Sequence, residues 1–424
     1  MAFANLKVIR SLRTMSPAQH EETLLVWLSR PKLQTVFIMA AIGVLAHGLA
    51  NRGRVAQAQG GRSAQKFRTP AILPLTKFYD AAHPLPPGKP GELIRSESIR
   101  QYSLPFELSA LRILYHSRTA KGEDVAVSGV VLIPDGKPPA GGWPVIAWAY
   151  EFRGAARQCA PSLVKNLGSG PILAMYANLG YVVVATDYSG LGSDSGKPVE
   201  DMQSNALDVM YSVPAARAAV PEIGTKWIAL GTFQGALAAV AVAESDVHVP
   251  NYLGSVAVSG LSDAAEAYEH FARESPDRML ALASTVQTLY PEFSVRNILT
   301  SEGTLAYERL TQSCEEEVAS DLKNTILKSG WENDPFVKQF FSGNAPGRRA
   351  VRGPILVISG GADAVIPAEL SAKTVSRMCK AGHRVDFLRY PDVDASGVMG
   401  ASAADQISWI KARFAGDEAP SNCR

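Results

Sequence analysis

Long apolar runs, closely spaced cysteines and clustered charge are all scarce in this chain of 424 residues. The apolar stretch from Val36 to Ala46 is too short for a comfortable membrane span, which takes roughly 20 apolar residues. The four cysteines, Cys159, Cys314, Cys379 and Cys423, contain no Cys-x-x-Cys pair, so nothing implies a zinc site. The formal net charge is only +2, and no basic run is interleaved with aromatics, which argues against nucleic-acid binding. No internal repeat or low-complexity segment stands out. What remains is 46% hydrophobic and 19% charged, which suits a globular protein with a sizeable core, built as one large domain or two ordinary ones. No metal or cofactor is implied.

The absence with the largest consequence is a single hydroxyl. Trp227-Ile228-Ala229-Leu230 reads as a buried strand, Gly231-Thr232-Phe233 as a small-residue turn, and Gln234 to Ala243 as a helix. Strand, tight turn and helix are the setting of a Gly-x-Ser-x-Gly nucleophile elbow, and Gly231 and Gly235 stand where its glycines belong. The central residue is Phe233, which has no proton to give and cannot form an acyl-enzyme.

At the N-terminus, Arg30 and Lys32 precede the apolar run and Ala56-Gln57-Ala58 follows it. That order of basic, apolar and small residues reads residues 1–58 as a secretory signal or an N-terminal anchor, placing the protein outside the cell or in a periplasm. Four cysteines in an exported protein favour two disulfides, with three pairings open. Residues 59–92 read as an extended lead-in. Strand-like runs follow at Leu111 to Tyr115 and Val125 to Ile133. Then strands at Val145 to Ala149, Tyr181 to Thr186, Trp227 to Leu230, Leu253 to Val258, Ile355 to Ile358 and Val385 to Leu388 alternate with helical patterns. Those helices are expected at Leu163 to Leu179, Met202 to Ala219, Gln234 to Ala243, Ala368 to Ala381 and Ile407 to Phe414. Such alternation implies an α/β fold, a mostly parallel central sheet with helices on both faces. One stretch breaks the pattern: residues 263–350 are helical and rich in aromatics, and read as a cap inserted between core segments 93–262 and 351–424.

Several separate motifs carry a resemblance. Arg112-Ile113-Leu114-Tyr115-His116-Ser117, Gln158-Cys159-Ala160-Pro161-Ser162, Thr186-Asp187-Tyr188-Ser189-Gly190-Leu191-Gly192, Gly361-Ala362-Asp363-Ala364-Val365-Ile366-Pro367 and Tyr390-Pro391-Asp392-Val393-Asp394 occur in that order. From about Tyr79 to the C-terminus the chain resembles the secretory lipase family of α/β-hydrolases. The resemblance implies the α/β-hydrolase fold with a helical cap, export, and hydrolysis of carboxylic esters, often acylglycerols. It also implies the pairings Cys159–Cys314 and Cys379–Cys423.

Ester hydrolysis by this route needs a nucleophile, a base, an orienting acid and donors for the oxyanion. Carried over by motif, the acid position falls on Asp363, the nucleophile position on Phe233 and the base position on Ala395, after Asp394. The loop that should present oxyanion donors reads Tyr150-Glu151-Phe152-Arg153-Gly154, and only the glycine matches the family's small residues. Gln234, directly after the elbow tip, counts among the oxyanion positions. Thr232 and Ser262 are weaker substitutes for the missing nucleophile; Ser262 reads better as a helix N-cap. His270 is the histidine in the expected cap, and His383 precedes the last strand at the opposite end of the sheet.

The leading expectation is a secretory-lipase-like protein whose own hydrolytic chemistry is impaired or lost. Its partner would be an ester or lipid-like small molecule, with transient contact at a lipid interface. One alternative is a non-catalytic binder of lipid or other acyl ligands. Another is a different enzyme built on Tyr150, Glu151 and Arg153.

Overall fold

The computed structural model describes residues 71–275, 277–314 and 326–423. The expected signal or anchor, residues 1–58, lies outside the described residues. Nine strands form one sheet: β1 (Leu93–Ile99), β2 (Ser109–Arg118), β3 (Asp124–Ile133), β4 (Trp143–Ala149), β5 (Val182–Thr186), β6 (Ile223–Thr232), β7 (Tyr252–Val258), β8 (Ile355–Gly360) and β9 (Val385–Tyr390). Their spatial order is β1-β2-β3-β5-β4-β6-β7-β8-β9. The first three pairings are antiparallel; from β5 to β9 every neighbour is parallel. All five residues of β5 are buried, as expected of a Val-rich strand covered on both faces.

The covering helices are α1 (Gly170–Asn178), α2 (Met202–Ala219), α3 (Gln234–Ala243), α8 (Ala368–Lys380), α9 (Val398–Ala401) and α10 (Ala403–Ala415). Between β7 and β8 come α4 (Ala264–Glu274), α5 (Arg278–Leu289), α6 (Ser301–Leu310) and α7 (Pro335–Gly343). These four build an apolar cluster of their own around Met279, Leu282, Val286, Phe293 and Phe340. Helix α2 starts where Asp201 accepts a hydrogen bond from the Ser204 N–H at 2.8 Å. Helix α3 is almost wholly Ala and Val, and its small side chains let it sit close against the sheet. Helices α1 and α10 meet where Tyr176 Oη donates to Gln406 Oε1 at 2.6 Å.

Two elements differ from expectation. The helix expected over Leu163 to Leu179 is confined to α1; Pro161–Leu163 forms a 3-10 turn, and Gly168 with φ 69° precedes the helix. Strand β1 gave no clear signal because Leu93–Ile99 (Leu-Ile-Arg-Ser-Glu-Ser-Ile) is a partly exposed edge strand with four consecutive charged or hydroxyl residues. Two disulfides close the chain, Cys159–Cys314 and Cys379–Cys423, the pairings that the resemblance implied. The first ties the loop after β4 to the helical insertion. Bridges of this kind add about 2–4 kcal/mol each.

Two buried acids make the core sensitive to pH. Asp208 on α2 accepts from Ser117 Oγ at 2.5 Å and from the Ser189 N–H at 2.9 Å. Burial raises its carboxyl from 3.8 to about 7 against the lowering effect of these bonds. A group raised in the folded state contributes stability that is fully present below its unfolded value, near 4, and is lost as pH rises through 7. Glu244, also lifted to about 7 by burial, acts in the same sense. The thermal midpoint should therefore fall between pH 5 and pH 8. An Asp208→Asn variant should show a smaller fall, measured by calorimetry at both pH values.

Candidate functional site

The parallel strands all end on one edge of the sheet, so the loops that follow them converge there. Tyr150 to Arg153 follow β4, Asp187 follows β5, Phe233 follows β6, Ser259 follows β7, Asp363 follows β8 and Ala395 follows β9. Phe233 links β6 to α3 with φ 50° and ψ −116°. A non-glycine residue there carries about 1–3 kcal/mol of strain, and the surroundings hold it. A Cβ on Gly235 would lie 2.0 Å from the Ala149 carbonyl oxygen, and one on Gly260 would lie 2.3 Å from Phe233 Cα. The turn is thus packed backbone against backbone. The Gln234 N–H opens helix α3 and is one of the first four donors that have no acceptor within the helix.

The Asp363 loop is bonded to Ser259, whose neighbour Gly260 packs against Phe233. Ser259 has φ 54° and is buried; its Oγ donates to Asp363 Oδ2 at 2.5 Å. Asp363 Oδ1 accepts from the Val365 and Ile366 N–H groups, both at 2.9 Å. Asp363 does not cap the following helix: Pro367 is the N-cap of α8 and no side chain caps it. The loop after β9 touches the Asp363 loop: the Ala362 N–H donates to the Val393 carbonyl at 3.0 Å. Ala395 lies in that loop, half-buried. Beside it, Asp394 Oδ1 accepts from the Gly397 N–H at 2.8 Å and from Ser396 Oγ at 2.9 Å. Those bonds, the backbone one first, lower the Asp394 carboxyl.

Ser262 is not the N-cap that the sequence suggested. Asp263 caps α4 by accepting from the Ala265 N–H, while Ser262 Oγ donates to the Asp263 carbonyl at 3.1 Å. The carboxylate is the better acceptor for the helix's first N–H groups and takes the place one residue later. His270 comes to the Asp363 loop, with Nε2 2.9 Å from the Ala364 carbonyl. A carbonyl only accepts, so Nε2 carries the proton in this contact. His383 is bound at Nε2 to the Arg349 carbonyl, 2.8 Å away, and burial lowers its pKa.

The loop after β4 is filled rather than open. Tyr150 and Phe152 are buried. The Tyr150 carbonyl accepts from Tyr188 Oη at 3.0 Å, and the Tyr150 hydroxyl is buried without a partner among the described residues. Burial holds that phenol far above its ordinary value, so it stays neutral and is no base. Arg153 Nη2 donates to Glu151 Oε1 at 3.3 Å, so these two charges neutralise each other. Next to them Asp187 is wholly enclosed, with Ser128 Oγ at 2.6 Å and the Ser162 N–H at 2.8 Å. Burial, opposed by these donors, raises its carboxyl.

Between the sheet edge and the inserted helices runs a small cleft of about 60 Å³, lined by Phe233, Leu237, Tyr268, Phe271, Phe340 and Ile366 among others. It also exposes Glu200, from the segment before α2, a residue that belongs to none of the motifs read from the sequence. Only the packing of α4 and α5 over that segment brings its carboxylate to the cleft.

A mostly parallel sheet, a strained strand–turn–helix elbow and an acid loop at the strand ends define the α/β-hydrolase fold. Solved structures agree. Lipase A of Candida antarctica in its closed state superposes with a TM-score of 0.70 at 17% identity, covering 83% of this chain and 89% of that one. The rice cell wall degrading esterase LipA of Xanthomonas oryzae gives a TM-score of 0.61 at 18% identity, over 77% of this chain and 97% of that one. Within that class, the secretory lipase family model matches residues 171–422, more than half of the sequence, and the chain belongs to that family. The match includes Phe233, Asp363 and Ala395; the loop Tyr150 to Arg153 precedes it. Lipase 4 of Candida albicans is 23% identical over 405 residues, 82% of this chain and 83% of that protein. Among the described residues no helix is long and apolar enough to cross a membrane.

Proposed function

We propose that this member of the secretory lipase family holds an ester or other acyl compound in the cleft beside Phe233 and hydrolyses it poorly or not at all. The observation that carries the reading is Phe233 itself, held at positive φ on the turn between β6 and α3, where the family's serine would stand. A phenyl ring cannot attack a carbonyl. Three further features support it. The base position, Ala395, bears only a methyl group. The Asp363 carboxylate is engaged by Ser259, Val365 and Ile366. The oxyanion loop is filled by Tyr150 and Phe152. The inserted helices, within residues 263–350, act as a cap that forms one wall of the cleft. Two disulfides and the family both favour export, to the cell exterior or a periplasm.

A different enzyme built on Tyr150, Glu151 and Arg153 has less support, because the phenol is locked neutral and the two charges pair with each other. The test is ligand uptake without turnover. A fluorescent acyl probe should bind the unmodified chain and be displaced by a p-nitrophenyl ester, with no nitrophenolate released above background. Release at the rate of an ordinary lipase, abolished by Thr232→Ala or Ser262→Ala, would overturn the reading.

A further inference from the structure

We infer that Glu200 makes the cleft selective for acyl compounds that carry a hydroxyl donor, partial esters of a polyol, over fully esterified ones. The inference rests on the reading of the cleft as an acyl-ligand site. Glu200 Oε2 accepts from Tyr268 Oη at 2.6 Å, and the Glu200 N–H donates to Thr285 Oγ1 at 2.9 Å. The carboxylate is thereby fixed by α4 and its backbone by α5. Oε1 accepts no hydrogen bond among the described residues, and Glu200 lines the cleft with Phe233, Leu237, Phe271 and Phe340.

An ionised carboxylate can only accept. The oxygens of an ester can also only accept. A fully esterified ligand seated beside Oε1 would set lone pair against lone pair and leave a half-buried charge unsatisfied. A free hydroxyl on the ligand donates to Oε1 and removes that cost. A site that bonds a ligand hydroxyl in this way discriminates far more sharply than apolar packing does. Arg278 also lines the cleft, with its guanidinium 5.9 Å from the centre of the Phe271 ring, and its positive charge favours the ionised form of Glu200.

Burial raises the Glu200 carboxyl, while Arg278 and the Tyr268 hydroxyl oppose the rise. Among the described residues these two, from α5 and α4, are the titratable groups that shift it; Phe233, Gln234 and Leu237 at the start of α3, and Phe340 and Asn344 at α7, carry no charge. Once protonated, Glu200 could itself donate to an ester oxygen. The preference should therefore shrink as pH falls.

The experiment is calorimetric titration of the full chain at pH 8 with monooctanoylglycerol and with its di-O-methyl ether, both kept below micelle formation. The unmodified chain should favour the free diol about tenfold or more. In Glu200→Gln, whose amide both donates and accepts, the preference should drop below about threefold. Tyr268→Phe should keep the preference, which separates loss of the acceptor from general loosening of the cleft. Equal binding of the two ligands by the unmodified chain would overturn the role of Glu200 while leaving the cleft an acyl site. So would an unchanged preference in Glu200→Gln. Binding of neither ligand would remove the acyl-ligand reading itself, and this inference with it.

Discussion

Changing Phe233→Ser and Ala395→His together, with Glu151 and Phe152 replaced by glycine, should raise kcat/KM for a p-nitrophenyl ester by about three orders of magnitude over the unmodified chain. The expectation follows from what is already in place. The turn at Phe233 has its positive φ, Asp363 sits after β8, and the loop bearing Ala395 is bonded to the loop bearing Asp363. On the proposed reading, what is missing is the nucleophile, the base and an open oxyanion loop. Triad members act as a unit, and losing one costs about 10⁴-fold or more. Each single change should therefore yield little, and the gain should appear only when serine and histidine are introduced together. Tyr150 is best left alone: it is fully buried, its ring packs on Trp148, and removing it would cost about 3–5 kcal/mol. A rebuilt variant that folds yet hydrolyses no faster than the parent would count heavily against the site assignment.

The second large effect is on stability. Gly235→Ala should destabilise the fold by about 3 kcal/mol or more, enough for a clear drop in the thermal midpoint or loss of soluble protein. Its new methyl group would lie 2.0 Å from the Ala149 carbonyl oxygen and 2.8 Å from that of Tyr150, and both are backbone atoms with no rotamer to escape into. The contrast is Gly343→Ala at the end of α7, where a Cβ meets nothing within 4 Å and the change should be nearly neutral. If Gly235→Ala melts like the parent, the elbow is less tightly packed than described.

The sheet was legible because its buried strands are short continuous apolar runs, separated by stretches long enough for helices. Helix α2 spans Met202–Ala219 and α3 spans Gln234–Ala243, as read from the sequence. Strand β1 was hidden because an edge strand need not be apolar on both faces. The helix forecast from Leu163 ran too far because its apolar residues pack as a 3-10 turn and loop against Leu73 and Tyr79 instead. In the site, Phe233 stood out by the glycines around it. Ser259 did not, since a serine after a strand is an unremarkable residue until the fold brings Asp363, 104 positions away in sequence, to its hydroxyl. Glu200 was invisible for the same reason: its meaning depends on Tyr268 reaching it from an inserted helix.

Covalent labelling puts the matter most simply. Treated with an alkyl fluorophosphonate and analysed by intact-mass and peptide mass spectrometry, the unmodified chain should gain no adduct. The Phe233→Ser/Ala395→His variant should gain one, on the new serine at the head of α3. Stoichiometric labelling of the unmodified chain at any serine or threonine would mean that a working nucleophile lies elsewhere, and would contradict the account.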